Sequence, residues 1–280
     1  MGGKRKLATK ILNSIHETIG DFKILYDLFG GGGAVSVAGL MAGLEVHYNE
    51  INTGVANLMK YLRDGGKLPT EWITREEFHK NKYGNDWYSG FIKCVWSFGN
   101  NQRNYLFGKK QVPSWLHLEI ENLKRLCHLI VTKKDENAIK EINNLFKIKL
   151  PPIQSRLELR TVFKKELQTR TDLEQLQRLE QLEQLYIYNK SYEEIEIKER
   201  SIIYCDPPHN KGRTYYQSKI NYDHFYKWCL ENKNPVFISE YDMPSDFKLI
   251  EQFQHTTSLA QKKQSKTIEK LYWNGKNLWD

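Results

Sequence analysis

Apolar positions cluster in short runs near both ends of the chain and spread into longer helical patterns between them. Ile-Leu-Tyr-Asp-Leu-Phe at 24–29 is a compact run that predicts a buried strand. Gly30 to Gly33 interrupt it, and the small apolar residues Ala34 to Leu40 predict a helix. A second strand is predicted at Glu45 to Asn49, ending in Glu50, and a helix from about Asn52 to Leu62 completes a parallel α/β crossover. From Gly65 to about Lys149 the pattern is helical and rich in Trp, Lys and Asn, broken by the loop 97–108. Strand signals return at 185–188, 201–205 and 235–239, with a helix at 222–230 between the last two. The tail from Ser258 to Trp279 predicts the final strands, with a basic loop drawn from Lys262, Lys263, Lys266, Lys270 and Lys276.

One periodic segment resists assignment. Leu173, Leu176, Leu179, Leu182 and Leu185 recur every three residues. A coiled coil repeats every ~3.5 residues and a straight amphipathic helix every ~3.6, so these leucines would drift around a helix and a zipper is a poor reading. The Gln- and Glu-rich composition permits a helix, and the conformation stays open.

Composition narrows the picture. A chain of 280 residues suits one large α/β domain with an insertion or two small domains, and 40% hydrophobic residues supply a sizeable core. No run of about 18 apolar residues exists to cross a bilayer, and Met1 to Lys6 does not lead into a secretion signal. The expectation is a soluble intracellular protein with no membrane partner. The excess of 42 Lys+Arg over 34 Asp+Glu gives +8, which favours a polyanionic partner without identifying it. Cys94, Cys127, Cys205 and Cys229 lie far apart, so neither a disulfide framework nor a metal site is expected. Cys127-His128 sits in a helical apolar pattern where packing explains it.

Two loci carry candidate chemistry. Glycines between a strand and a helix let backbone approach a ligand, and Gly30, Gly31, Gly32 and Gly33 follow a strand that contains Asp27. Val35 and Ser36 occupy positions where the third glycine of a dinucleotide fingerprint would fall, which disfavours nicotinamide. Glu50 ends the next strand, where such folds place a carboxylate that accepts from ribose hydroxyls; a solvated strand-end charge or a helix N-terminal anion would explain it equally. At Asp206-Pro207-Pro208-His209 an apolar strand runs into an acid and two prolines. The prolines stop the strand and hold carbonyls and the Asp206 carboxylate outward as acceptors, a site suited to a primary amine. An ordinary strand-ending turn would account for an isolated Pro-Pro; its conjunction with the glycine loop and Glu50 favours chemistry.

Together these segments resemble the Dam-like DNA adenine N6-methyltransferases that use S-adenosyl-L-methionine, and the resemblance covers most of the chain. Gly2-Gly3-Lys4 is similar to the family's N-terminal motif, Asp27-Leu28-Phe29-Gly30-Gly31-Gly32-Gly33 to its cofactor loop, and Asn49-Glu50 to its ribose-binding strand end. Ser191-Tyr192 resembles the segment that lines the cofactor's adenine ring, and Asp206 to His209 the catalytic D-P-P-Y. Pro235 to Tyr241 is similar to a segment of phage-borne members. The resemblance implies a class I methyltransferase fold: a doubly wound mixed sheet of seven strands from residues 1–64 and 180–280, with a helical target-recognition insertion over 65–179. It implies double-stranded DNA as partner, no metal, and the cytoplasm of a bacterial host as location. Oligomeric state stays open, a monomer included.

In that reading the target adenine leaves the stack, Asp206 and the Pro207 carbonyl accept its N6 hydrogens, and Asp206 also borders the cofactor. Lys4 lies near the base or cofactor, with a solvated N-terminal charge as the alternative. His209 departs from the family's tyrosine: imidazole stacks with less surface and protonates near neutrality. A catalytically weak DNA-binding relative is therefore one rival, and methylation of RNA or of cytosine N4 another. Asn100, Asn101, Gln102, Arg103 and Asn104 are candidates for DNA contact or a solvated loop. Lys109, Lys110, Lys211, Arg213 and Lys219 are candidates for phosphate contact or ordinary surface charges.

Overall fold

The computed structural model describes residues 4–69, 71, 73–97, 102–105, 125, 128, 135–138, 140–141, 182–208, 220–257 and 265–278. Helix α1 (Arg5–Ile19) opens the chain and ends at Gly20, whose φ of 79° a glycine adopts without strain. Leu7, Ala8, Ile11, Leu12 and Ile15 are buried, one helical face at steps of three and four. That spacing is visible in the sequence, although the strand and glycine signals downstream overshadow it. Next come β1 (Ile24–Asp27), α2 (Ala34–Met41), β2 (Glu45–Asn49) and α3 (Thr53–Arg63). The Asn52 side chain caps α3 by accepting from Val55 N at 3.4 Å.

Two short helices follow, α4 (Arg75–Asn81) and α5 (Trp87–Val95), each capped by a side chain, Thr74 and Asp86 respectively. Further along the described residues come β3 (Leu185–Tyr188), β4 (Ile202–Cys205), α6 (Tyr222–Glu231), β5 (Val236–Glu240), β6 (Lys248–Thr257) and β7 (Ser265–Trp273). The strand order is β3-β2-β1-β4-β5-β7-β6, with β7 antiparallel to both neighbours and the rest parallel. This is the mixed seven-stranded sheet of a class I methyltransferase fold. Strand order reverses between β1 and β4, so a crevice opens at their carboxyl ends, where ligands of open α/β sheets bind.

Strands β1, β2, β4 and β5 are buried on both faces, the condition of a parallel sheet covered by helices. Leu25, Val46, Tyr48, Ile202, Tyr204 and Phe237 face one apolar cluster, while Tyr26, Ile203, Cys205, Val236 and Ile238 face the other. The first cluster continues without a break into Phe78, Phe91, Ile92, Trp96 and Tyr105, so α4 and α5 share the core beneath α3.

The end of the sheet differs from the expected tail. The first of the last two strands is Lys248–Thr257, starting ten residues before Ser258. A register shift between Leu249 and Glu251, on an edge strand that exposes much of its length, breaks the alternation by which a strand is read. Lys266 and Lys270 consequently belong to β7. Leu182 and Leu185 are described, one in a 3-10 turn and one opening β3; Leu173, Leu176 and Leu179 lie outside the described residues. His128 is buried with its ring 5.3 Å from Trp96, and Cys205 and Cys229 are buried free thiols. Among the described residues no helix is long and apolar enough to cross a membrane, and no three His, Cys, Asp or Glu side chains gather as a metal would require.

Candidate active site

The carboxyl ends of β1, β2 and β4 bring together residues far apart in sequence. After Asp27 the chain turns through Leu28, whose N–H donates to Tyr204 O at 3.0 Å, and Gly30, whose N–H donates to Asn49 O at 2.9 Å. Gly30 is obligatory for packing, since a Cβ there would overlap the Tyr48 ring. Gly33 caps α2 at φ 76°, a left-handed conformation. Gly32 is different: a Cβ built on it meets nothing within 4 Å, so the loop faces open space at that residue.

Glu50 organises this loop from β2. Its Oε2 accepts from Gly31 N at 3.0 Å and its Oε1 from Asn52 N at 2.7 Å. Burial pushes its carboxyl up, against the pull of these two N–H donors and of Lys93. Asn49 ties the neighbouring loops together by donating to Leu28 O and Lys190 O and accepting from Lys190 N, all at 3.1 Å. The turn bearing Ser191 and Tyr192 is thereby fixed beside the glycine loop. Tyr192 is buried and its ring lies 5.6 Å from Phe29, and both rings pack on Phe225.

Asp27 is buried beneath the loop and accepts from Ser36 Oγ at 2.7 Å. Burial pushes its carboxyl up to about 7, opposed by the Ser36 hydroxyl and augmented by the Asp206 and Glu50 charges. At the end of β4, Asp206 and Pro208 are partly exposed and Pro207 is buried. Lys4 Nζ donates to Asp206 Oδ1 at 2.7 Å and also forms an ion pair with Glu269 of β7. Burial alone would lower the Lys4 pKa, but the Asp206 and Glu269 carboxylates raise it well above its ordinary value.

The structure thus brings Lys4, Asp27, Phe29, Gly30 to Gly33, Glu50, Ser191, Tyr192, Asp206, Pro207 and Pro208 to one edge of the sheet. His209 lies outside the described residues. So do Asn100, Asn101, Lys109, Lys110, Lys211, Arg213 and Lys219. Arg103 and Asn104 are exposed. Their loop is anchored by Gln102, which accepts from Asn52 Nδ2 at 2.8 Å and whose N–H donates to Ser97 Oγ at 3.2 Å. Lys82 Nζ donates to Arg103 O at 2.7 Å.

Four contributors were not legible in the sequence: Ser36, Asn52, Lys93 and Glu269. Lys93 is buried, donating to Asn52 Oδ1 at 3.1 Å and Gly84 O at 2.9 Å, and burial lowers its pKa. Ser36, at the place where a dinucleotide fingerprint would need glycine, was readable only as a negative.

A model of the D12 class N6 adenine-specific DNA methyltransferase family matches residues 1–272. No curated protein matches the sequence. Among solved structures the chain is similar to a protein of Pyrococcus horikoshii described as a candidate RNA methyltransferase, at 11% identity and a TM-score of 0.37, over 95% of this chain and 79% of that one.

Proposed function

Because the chain belongs to the D12 class of N6 adenine-specific DNA methyltransferases, we propose that the crevice between β1 and β4 is its catalytic centre, taking S-adenosyl-L-methionine and an adenine extruded from double-stranded DNA. The observation that carries this reading is the meeting of Asp206 and its Lys4 partner with the glycine loop and Glu50 at one sheet edge. Residues 65–179 serve in this reading as the target-recognition insertion, with 1–64 and 180–280 as the catalytic domain.

The residues present fit the cofactor. Gly32 leaves space that any side chain would fill, Glu50 is a carboxylate at the end of β2, and Phe29 and Tyr192 supply aromatic faces beside the loop. Glu50 would accept from the ribose hydroxyls, and Ser191 and Tyr192 would border the adenine ring. When bound, the cofactor supplies a methyl group made electrophilic by its sulfonium.

The chain's own part is acceptance and orientation. Asp206 and the Pro207 carbonyl accept the two N6 hydrogens and so aim the nitrogen lone pair. Lys4 holds Oδ1 of Asp206, so the amine approaches Oδ2. Extruding the base costs a few kcal/mol, which contacts to the flipped base must offset. Holding both reactants in one crevice supplies much of the acceleration. N6 turns cationic and strongly acidic once it carries the methyl, and its proton then passes to the Asp206 carboxylate or to water, so Asp206 needs no great basicity.

Incubation of the full chain with labelled S-adenosyl-L-methionine and DNA or RNA, followed by nucleoside analysis, tests the reading. N6-methyladenine in DNA, lost in Asp206→Ala with cofactor binding retained, is expected. Label in RNA or in N4-methylcytosine would favour the alternative acceptors. Binding of cofactor and duplex without transfer would make the chain a DNA-binding relative.

A further inference from the structure

The Lys4 ammonium lies between two carboxylates drawn from different elements. Asp206 follows β4, Glu269 belongs to β7, and β5 separates those strands in the sheet. Only Asp206 stands in a segment that the sequence marks as chemical. Glu269 is the unexplained member, and its placement reverses the usual order of a strand: Glu269 is 5% exposed while the adjacent Ile268 is 41% exposed. A strand that buries its acid and exposes its isoleucine gives up apolar burial, and buried ionic clusters seldom recover that in stability. Such local contradictions concentrate at functional sites.

We infer that Glu269 is a positioning residue for methyl transfer: it holds the Lys4 ammonium against Asp206 Oδ1 and so sets which carboxylate oxygen meets the incoming amine. This rests on the reading of Asp206 as the acceptor of the N6 hydrogens. A lysine side chain has four rotatable bonds and considerable freedom, so one ion pair at the start of α1 would leave both Lys4 and the Asp206 carboxylate free to turn. Two carboxylates from separate strand segments on one ammonium remove that freedom. Glu269 also divides the positive charge, which keeps Asp206 a stronger acceptor than it would be as the sole counter-ion of Lys4.

Among the described residues, the groups facing Lys4 are Asp206 after β4, Glu269 on β7 and Tyr241 after β5; the register Glu240↔Lys270, carried one step on, sets Tyr241 beside Glu269. Glu269 is one of the two charges that raise the Lys4 pKa against burial. Its removal therefore brings deprotonation of Lys4 to lower pH.

Steady-state kinetics of the full chain on duplex DNA test the inference, with Glu269→Gln, Glu269→Asp, Lys4→Met and Asp206→Asn compared. Glu269→Gln is expected to lower kcat by about tenfold while both KM values stay within about twofold. It should also show an alkaline fall in kcat that sets in at lower pH than any in the parent. The same profile in a Tyr241→Phe background separates the ammonium from the phenol. Glu269→Asp should restore most of the loss, and Glu269→Gln should have no further effect in a Lys4→Met background. That background also keeps the test open should the single variant be unstable, because the glutamate there has no ammonium to hold. Unaltered kcat and pH profile in Glu269→Gln, beside a dead Asp206→Asn, would overturn this inference alone. An equal loss with and without Lys4 would also overturn it, by making Glu269 merely structural. Full turnover in Asp206→Asn would remove the site reading, and this inference with it.

Discussion

Gly54 of α3 and Gly90 of α5 meet backbone to backbone: a Cβ on Gly54 would lie 3.2 Å from Gly90 N and 3.0 Å from Lys93 Nζ, and one on Gly90 would overlap the Gly54 carbonyl. This approach seats α5 on the helix that follows Glu50. The buried Lys93 amine then reaches Asn52, whose own amide holds Gln102. The loop bearing Arg103 is therefore braced by the residue that also donates its N–H to Glu50.

Gly90→Ala should destabilise the protein by about 1–3 kcal/mol, the ordinary cost of overpacking, because two backbones must separate to admit the methyl group. Urea denaturation measures it. A Gly20→Ala control has open space at its Cβ and is limited to the strain of a positive φ.

Gly32→Val and Glu50→Ala should weaken S-adenosyl-L-methionine binding for different reasons. Valine at 32 meets no protein atom at its Cβ, so the fold should hold while the space above the loop is filled. Glu50→Ala deprives Gly31 N and Asn52 N of their acceptor and removes a charged acceptor for the ribose, so both stability and affinity should fall, the latter by about 1.5–3 kcal/mol. Calorimetric titration with parallel melting curves checks both; unchanged affinity in both variants would mean the pocket lies elsewhere.

Stability should fall between about pH 4 and pH 7 through Asp27. Its ordinary value of 3.8 rises to about 7 in the folded chain, so across that window the native state keeps a proton that the unfolded chain has lost. The contribution is complete below about pH 4 and lost as pH rises through 7. Asp27→Asn removes this slope, and the stability difference between variant and parent should move in favour of the variant by at most about 4 kcal/mol from pH 4 to pH 8. Glu50, also raised by burial, acts alike in both proteins. Urea unfolding at several pH values would show parallel curves if Asp27 stayed ionised throughout.

DNA affinity should fall steeply with salt, with a log-log slope of about 0.9 per neutralised phosphate. Arg103→Ala should reduce that slope by about 1 if its guanidinium meets a phosphate, or relax sequence preference if it meets a base edge. Fluorescence titration across a salt series distinguishes these, and a flat dependence would count against a nucleic-acid substrate.

His209→Tyr should raise methyl transfer to adenine by roughly tenfold or more, since stacking on an aromatic contributes about 1–3 kcal/mol per base. Single-turnover assays give the comparison. A slower tyrosine variant beside an efficient parent would show that imidazole is adapted to this pocket.

Much of this protein is local in origin. Short apolar runs closed by Gly30 or by Pro207-Pro208 specify strands and their ends through backbone sterics alone, and the motif order around them identified both the chemistry and the sheet. Strand β6 is hidden in the sequence because its bulge and exposed edge break the two-residue period, and α1 because the stronger strand and glycine signals that follow overshadow its apolar face. Side-chain pairings were out of reach. Lys4 and Asp206 stand 202 positions apart, and Glu269 looks like one more strand residue until the sheet order lays β7 next to β5. The sequence by itself determined which groups stand at the carboxyl edge, because a glycine loop and a Pro-Pro stop constrain their own neighbours. Only the tertiary structure decided what those groups touch, because the Lys4 pair with Asp206 and Glu269, the Glu50 clasp on Gly31 and the Gly54–Gly90 seat each depend on distant segments packing together.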